Sequence, residues 1–273
     1  MNSSYAASPF ALVRSAVEHR DLIGDLVRRE FIGRYRGSIL GVGWALFSPL
    51  LMLAIYTFVF SVAFNARWGA GDESKATFAL VLFSGMIVHA FFSECLTRAP
   101  GLIVTQPNFV KKVLFPLEIL AWVTVFSAAL HFVVSFLILM VFCMVVGVTV
   151  HPLTMLVPVA LLPLFALTLG LTWILAAFGV YLRDLSQAMG MVTTIALFLA
   201  PVFYPISALP EGFQRMISWN PLTFPITQLR DLMLWGKPML WEQWAMHLLI
   251  GTAFCFVGFW WFQKTRRGFA DVL

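Results

Sequence analysis

Charged positions vanish from this chain in long blocks, and the blocks have lengths that a membrane dictates. Residues 119–182 form 64 consecutive positions without Asp, Glu, Lys or Arg. A helix crosses the hydrocarbon core of a bilayer in about 20 apolar residues, so this block predicts two long crossings joined by a turn. Gly147 and His151-Pro152 supply the turn, because glycine relaxes the backbone and proline cannot continue a helix through its nitrogen. The same reading along the whole chain predicts six crossings, at 38–64, 77–93, 119–147, 152–182, 187–209 and 244–262.

Ahead of the first crossing the pattern becomes amphipathic. Leu12, Ala16, Ile23, Leu26 and Val27 recur at helical spacing, with Arg14, Glu18, Asp21, Asp25 and Arg28 mostly opposite. This predicts one helix over 9–31, started by Ser8 as N-cap and Pro9 in the first turn, lying along the membrane surface or against a partner. A solvated helix laced by Arg14/Glu18 and Asp25/Arg29 pairs is the alternative. The first 37 residues are too charged for a cleaved secretory signal, so none is expected. Residues 208–243 mix apolar pairs with Pro210, Pro221, Pro225 and Pro238 and with Trp219, Trp235 and Trp241. Short re-entrant helices dipping into the outer leaflet between the fifth and sixth crossings fit this better than a seventh crossing.

The expected fold class is therefore all-α integral membrane, with six transmembrane helices per chain. Its parts are a cytoplasmic N-terminus with an amphipathic interface helix (1–37), a transmembrane domain (38–262) and a cytoplasmic tail (263–273). Composition agrees: 11% of residues are charged, against about 25% in an ordinary soluble domain. The net charge of +5 does not indicate nucleic acid, because the basic residues sit at the ends of apolar spans. They do fix an orientation, since cytoplasmic loops retain Lys and Arg. With both termini inside, the cytoplasmic segments hold 13 of the 18 basic residues, leaving Arg67, Lys75, Arg215, Arg230 and Lys237 outside. Cys95, Cys143 and Cys255 have no CxxC spacing and read as small hydrophobes.

No GxxxxGK[ST] phosphate loop occurs, so no nucleotide site is expected in this chain. His19, His89, His131, His151 and His247 are scattered without metal-ligand spacing, and an intramembrane histidine reads as hydrogen-bonded within the bundle. The carboxylates nearest the membrane, Glu94 and Glu118, lie at span ends, where Glu94 and Arg98 form an i,i+4 pair. That disfavours an ion-coupled carrier. Gly33, Gly37 and Gly41 recur every four residues and predict either a stripe of close helix packing or a hinge at the membrane. Arg34 and Arg36 flank Tyr35 at headgroup level, as candidate ligands for a lipid phosphate or as snorkelling anchors. Trp44, Phe47 and Tyr56 on the first crossing and Phe198, Phe203 and Tyr204 on the fifth are candidates to line a passage for a sugar chain, whose C–H faces suit aromatic rings. Lipid-facing or packing roles are the alternative, and Trp44, Tyr56 and Tyr204 rank higher for carrying a polar atom inside an apolar span.

Four blocks of sequence resemble one family in the same order. They are Arg34-Tyr-Arg-Gly-Ser-Ile-Leu-Gly-Val-Gly-Trp44 with Ser48-Pro49 and Tyr56-Thr-Phe-Val-Phe60; Phe109-Val-Lys-Lys-Val-Leu-Phe-Pro116; Tyr181-Leu-Arg-Asp-Leu185; and Pro201-Val-Phe-Tyr-Pro205 running on to Asn220-Pro-Leu-Thr223 and Arg230. Together they resemble the permease subunit of ABC-2 type polysaccharide exporters. The resemblance implies a homodimer, each chain pairing with a second copy of itself, served by two copies of a separate nucleotide-binding ATPase subunit. That subunit would bind ATP and Mg, with no cofactor in this chain. It also implies a bacterial inner-membrane location and a lipid-linked glycan substrate, O-antigen first and capsular polysaccharide or teichoic acid as alternatives. The interface helix with Arg28 and Arg29, the loop with Asn108, Lys111 and Lys112, and Arg183-Asp184 would contact the ATPase. A membrane-embedded glycolipid-modifying enzyme is the competing class, and it would need a clustered acid/base pair or metal ligands.

Overall fold

Two short helices, not one, precede the first apolar span. The computed structural model describes residues 8–59, 75–110 and 115–273. Helix α1 (Pro9–Glu18) starts as expected, with Ser8 Oγ accepting from the Ala11 N–H at 3.2 Å and Pro9 in the first turn. It stops at His19, whose ring nitrogen donates to the Ser15 carbonyl at 2.9 Å and whose backbone, at φ −107° and ψ 17°, leaves the helical geometry before α2 (Arg20–Tyr35) begins. The single helix over 9–31 is thus corrected to two successive helices that run four residues further. Arg14 and Glu18 make the expected pair at 2.7 Å on the exposed side.

After Tyr35 the chain does not continue as a helical stripe. Gly37 and Gly41 have φ of +86° and +51°, backbone that favours glycine, and no neighbour crowds either of them or Gly33. Among the described residues, nothing within the chain packs closely on that stripe. The first span therefore begins with a 3-10 turn at Gly41–Gly43 and becomes α3 (Trp44–Tyr56), later than residue 38. Its predicted end at 64 lies outside the described residues.

Helix α4 (Lys75–Arg98) is the centre of the bundle: Ala79, Leu80, Val81, Leu82 and Ser84 have no exposed surface. Two short helices, α5 (Gly101–Val104) and α6 (Pro107–Val110), lead towards α7 (Ile119–Val146). The α7 hairpin forms where the sequence places it. Gly147 takes φ +77°, the Val148 N–H returns to the Cys143 carbonyl at 2.9 Å, and His151 caps a 3-10 turn that opens on Pro152. Helix α8 (Val157–Tyr181) follows. Five α-helices follow it: α9 (Leu185–Phe198), α10 (Glu211–Ser218), α11 (Thr223–Met233), α12 (Trp241–Thr265) and a final turn, α13 (Phe269–Val272).

Helices α8 and α12 form the tightest pair, because small residues let their backbones meet. A Cβ on Gly258 would overlap the Gly170 carbonyl, and one on Gly170 would overlap the Phe254 carbonyl. Trp173 is fully buried beside them, edge-on to Phe259 at 5.2 Å, its indole N–H donating to the Glu118 carbonyl at 3.0 Å. The tail is packed too, with Phe269 fully buried against Phe262.

Among the described residues there is no strand, and five segments are long and apolar enough to cross a membrane: Gly41–Val59, Ala76–Arg98, Ile119–Val146, Pro152–Tyr181 and Trp241–Val272. The crossing expected at 187–209 is not one continuous helix. Helix α9 has 14 residues, about 21 Å at 1.5 Å per residue, and ends where Pro201 and Pro205 interrupt the pattern.

Candidate functional site

Two regions bring together the polar groups that a membrane protein of this composition can use. The first is the basic end of the bundle. Helix α2 seats Ile23 and Val27 against Ile119 and Val123 of α7. One turn further on, Phe31 covers the His131 ring at 4.8 Å and the Tyr35 hydroxyl lies 3.2 Å from His131 Nδ1. This docking aligns a chain of alternating charges. Arg34 pairs with Glu94, Glu94 with Arg98 at 3.1 Å, and Arg98 with Glu30, so α2 is bound to the last turns of α4. Burial disfavours the charged form of Arg34, but its hydrogen bond to Glu94 and the attraction of Glu94, Tyr35 and Glu30 together outweigh that, holding its pKa above the ordinary value. The expected Glu94/Arg98 pair is therefore half of a larger network, which leaves Arg34 already engaged by carboxylate. Arg36 lies beyond the helix end and is exposed.

Between α2, the end of α4 and the start of α7 lies an open cavity of about 660 Å3, lined by Arg29, Arg34 and Arg98 together with Leu26, Leu102 and Phe109. Of the residues expected to meet an ATPase, Arg29 lines this cavity, Arg28 is exposed on the same helix, and the backbone of Asn108 lies on α6. Lys111 and Lys112 lie outside the described residues. Arg183 and Asp184 are exposed at the same end, between α8 and α9. A second buried pair was not anticipated from the sequence. Arg266 donates to Glu118 at 2.5 Å and to the Phe115 carbonyl at 2.7 Å, while Ser15 reaches Glu118 from α1 at 3.5 Å.

The second region is the break after α9. It falls level with Val81–Gly85, six to ten residues inside the first residue of α4, where water cannot be relied on to satisfy free carbonyls. Side chains do so instead. Asn220 donates to the Ala196 carbonyl at 2.9 Å, Tyr204 to that of Phe198 at 2.6 Å, and Arg230 to those of Pro201 at 2.5 Å and Val202 at 3.2 Å. His89 of α4 donates to the Thr193 carbonyl at 2.9 Å, the bundle role expected for an isolated histidine. Arg230, assigned by charge counting to an outer loop, is instead buried, at 2% exposure. A signal for this was present: Arg230 shares a helical face with Ile226 and Met233, and a charge on an apolar face is a buried charge.

Of the six candidate passage aromatics, Trp44 and Tyr204 are half-buried and the other four divide into two sets. Tyr56 and Phe203 pack together against Phe78, Val81 and Leu82, half-buried. Phe47 and Phe198 are exposed, Phe47 edge-on to Trp44 at 5.3 Å and Phe198 tilted over Phe203 at 5.6 Å. Leu46, Leu50 and Ile55 of α3 and Met191 and Ile195 of α9 continue the uncovered apolar surface.

The sequence comparisons point one way. Residues 22–234 match the ABC-2 type transporter family. The O-antigen export system permease protein RfbA of Myxococcus xanthus is 31% identical over 223 residues, covering 81% of this chain and 83% of that protein. Two proteins of the same name from Klebsiella pneumoniae are 26% and 24% identical, each match covering 93% of this chain and 95% of theirs.

Proposed function

This chain belongs to the ABC-2 type transporter family as a membrane subunit, and from that premise we propose that it is the permease of an ATP-driven exporter of lipid-linked O-antigen. The observation that carries the reading is the match over nearly full length to relatives named as O-antigen export permeases. The protein works as a transporter subunit, not as an enzyme, and ATP with Mg binds a partner ATPase present in two copies. The basic end faces the cytoplasm at the inner membrane, where the groove beside α2 receives the ATPase through Arg28, Arg29, Asn108, Lys111 and Lys112, with Arg183-Asp184 as a second contact.

Residues 38–262 act as the transmembrane domain, with the cytoplasmic segments 1–37 and 263–273 at its ends. Helix α9 and the strap 199–209 together make the fifth of six crossings, and α10 and α11 dip into the outer leaflet as a cap. Two copies meet along the uncovered faces of α3 and α9, which gives Phe47 and Phe198 a passage to line. Arg34 and Arg36 hold the substrate's phosphate at the cytoplasmic mouth by charge-assisted hydrogen bonds, Arg34 exchanging its Glu94 carboxylate for phosphate oxygens.

The test is co-expression with a soluble nucleotide-binding subunit, followed by reconstitution in vesicles carrying lipid-linked O-antigen. Stable co-purification and export that requires ATP are expected. Glycolipid movement by this chain alone, or failure to bind any ATPase, overturns the reading. Replacing Arg34 and Arg36 together by Gln should abolish export and leave ATPase binding intact, and normal export would remove both from the phosphate site.

A further inference from the structure

One side chain grips α4 at the end opposite the basic network. The Arg230 guanidinium, reaching in from α11, donates to the Val81 carbonyl through Nε at 3.0 Å and Nη2 at 2.8 Å, and through Nε to Ser84 Oγ at 3.1 Å. Its remaining donors hold Pro201 and Val202 of the strap after α9. Gly85 makes the space, since a Cβ there would come within 2.7 Å of Nη2. A planar cation with five donors in a fixed fork serves carbonyls of two backbone segments at once, where Lys offers three donors at a single point on a flexible stem. So α11, the strap and α4 meet on a single group.

At its other end α4 is held by Glu94 and Arg98 to Arg34 and Glu30 of α2. The two grips are 13 residues apart, about 20 Å along the helix. Between them α4 is mostly buried, with Ile87, Val88 and Phe92 packed in the core, and a close-packed interior passes on displacement instead of absorbing it.

The geometry points to α4 as the strut that carries movement of α2 to the outer helices, with Arg230 as the positioning residue that fastens α11 and the strap to its far end. This rests on the proposed reading, in which a partner ATPase moves α2. Arg230 touches no substrate in this scheme; it decides whether α11 and the strap follow α4.

The experiment uses the full chain assembled with its ATPase and carrying Ser207→Cys, an exposed strap position. A membrane-impermeant maleimide is the probe, applied with and without ATP plus vanadate. Cys95, Cys143 and Cys255 are buried and give little background. In the otherwise native chain the labelling rate should respond to nucleotide. Arg230→Met should reduce that response about tenfold, a usual size for coupling between sites, while ATPase binding and hydrolysis persist and Arg230→Lys gives an intermediate value. An undiminished response in Arg230→Met overturns the strut.

If Arg230→Met fails to assemble, Gly85→Ala decides, because it keeps the cation while its Cβ displaces the guanidinium and presses more lightly on Val202 of the strap. A normal response there overturns the proposal, and a lost response with intact assembly supports it. If Ser207→Cys shows no nucleotide response in the native background while the assembly binds its ATPase and exports, the strut is overturned and the exporter reading stands; only an assembly that neither binds an ATPase nor exports overturns that reading.

Discussion

The Tyr204 hydroxyl and the Asn220 amide both serve carbonyls at the end of α9, and Asn220 also accepts the Leu222 N–H at 2.9 Å. Removing such a partner leaves a helix-end carbonyl without its donor, and an acceptor left unpaired away from water costs about 1–3 kcal/mol. Tyr204→Phe should therefore lower the thermal stability of the detergent-solubilised protein, and Asn220→Ala should lower it more because two bonds go. Equal melting of wild type and Tyr204→Phe would contradict this account. The sequence marked Tyr204 as a polar atom needing a partner inside an apolar span, but not which partner. That depends on where α9 stops. Arg230 was hidden for a related reason: Val81 and Pro201, the carbonyls it serves, are 149 and 29 residues away, and charge counting sees only neighbours in sequence.

Helices α8 and α12 meet backbone to backbone, whereas Gly190 of α9 has nothing within reach of an added methyl. Gly258→Ala should thus force the pair apart and cost about 1–3 kcal/mol or more, while Gly190→Ala should be neutral or stabilising by up to about 1 kcal/mol from helix propensity. Paired melts of the two variants check this, and similar melting would contradict it. Glu94→Gln breaks the charge chain between α2 and α4. Hydrogen exchange should then rise in α2, by a loss of protection of about 1 kcal/mol, and stay unchanged in α8 and α12; an unchanged α2 would count against the latch. The α7 to α8 hairpin was legible because its signals, Gly147 and His151-Pro152, act locally. The stripe at Gly33, Gly37 and Gly41 misled because spacing carries no sign of φ. Helix α9 was drawn too long because hydropathy averages over Pro201 and Pro205, while the break depends on side chains of α11 to complete it.

At the scale of the molecule, the apolar surface of α3 and α9 has no covering in a single chain. In the proposed dimer the second copy covers it. Leu50→Cys, on the exposed side of α3, should form an oxidant-induced disulfide between two copies in native membranes, and a strictly monomeric product would place the contact elsewhere. The class of the fold, its long spans and the basic character of one end were all legible from charge-free length, whereas the site's geometry was not. The groove beside α2 depends on how Ile23 and Val27 seat on Ile119 and Val123, a docking that no periodicity specifies.

The brevity of α9 also bears on the lipid around it. In the proposed fifth crossing, on any side that the second copy leaves to lipid, a helix about 9 Å shorter than the hydrocarbon layer would not hold the two leaflets at their resting separation, so the bilayer beside it would dimple inward or admit water. The electrostatic penalty for drawing an anionic headgroup through oil shrinks with the depth of oil to be traversed. The flank of α9 is accordingly where the membrane itself is weakest against such a headgroup.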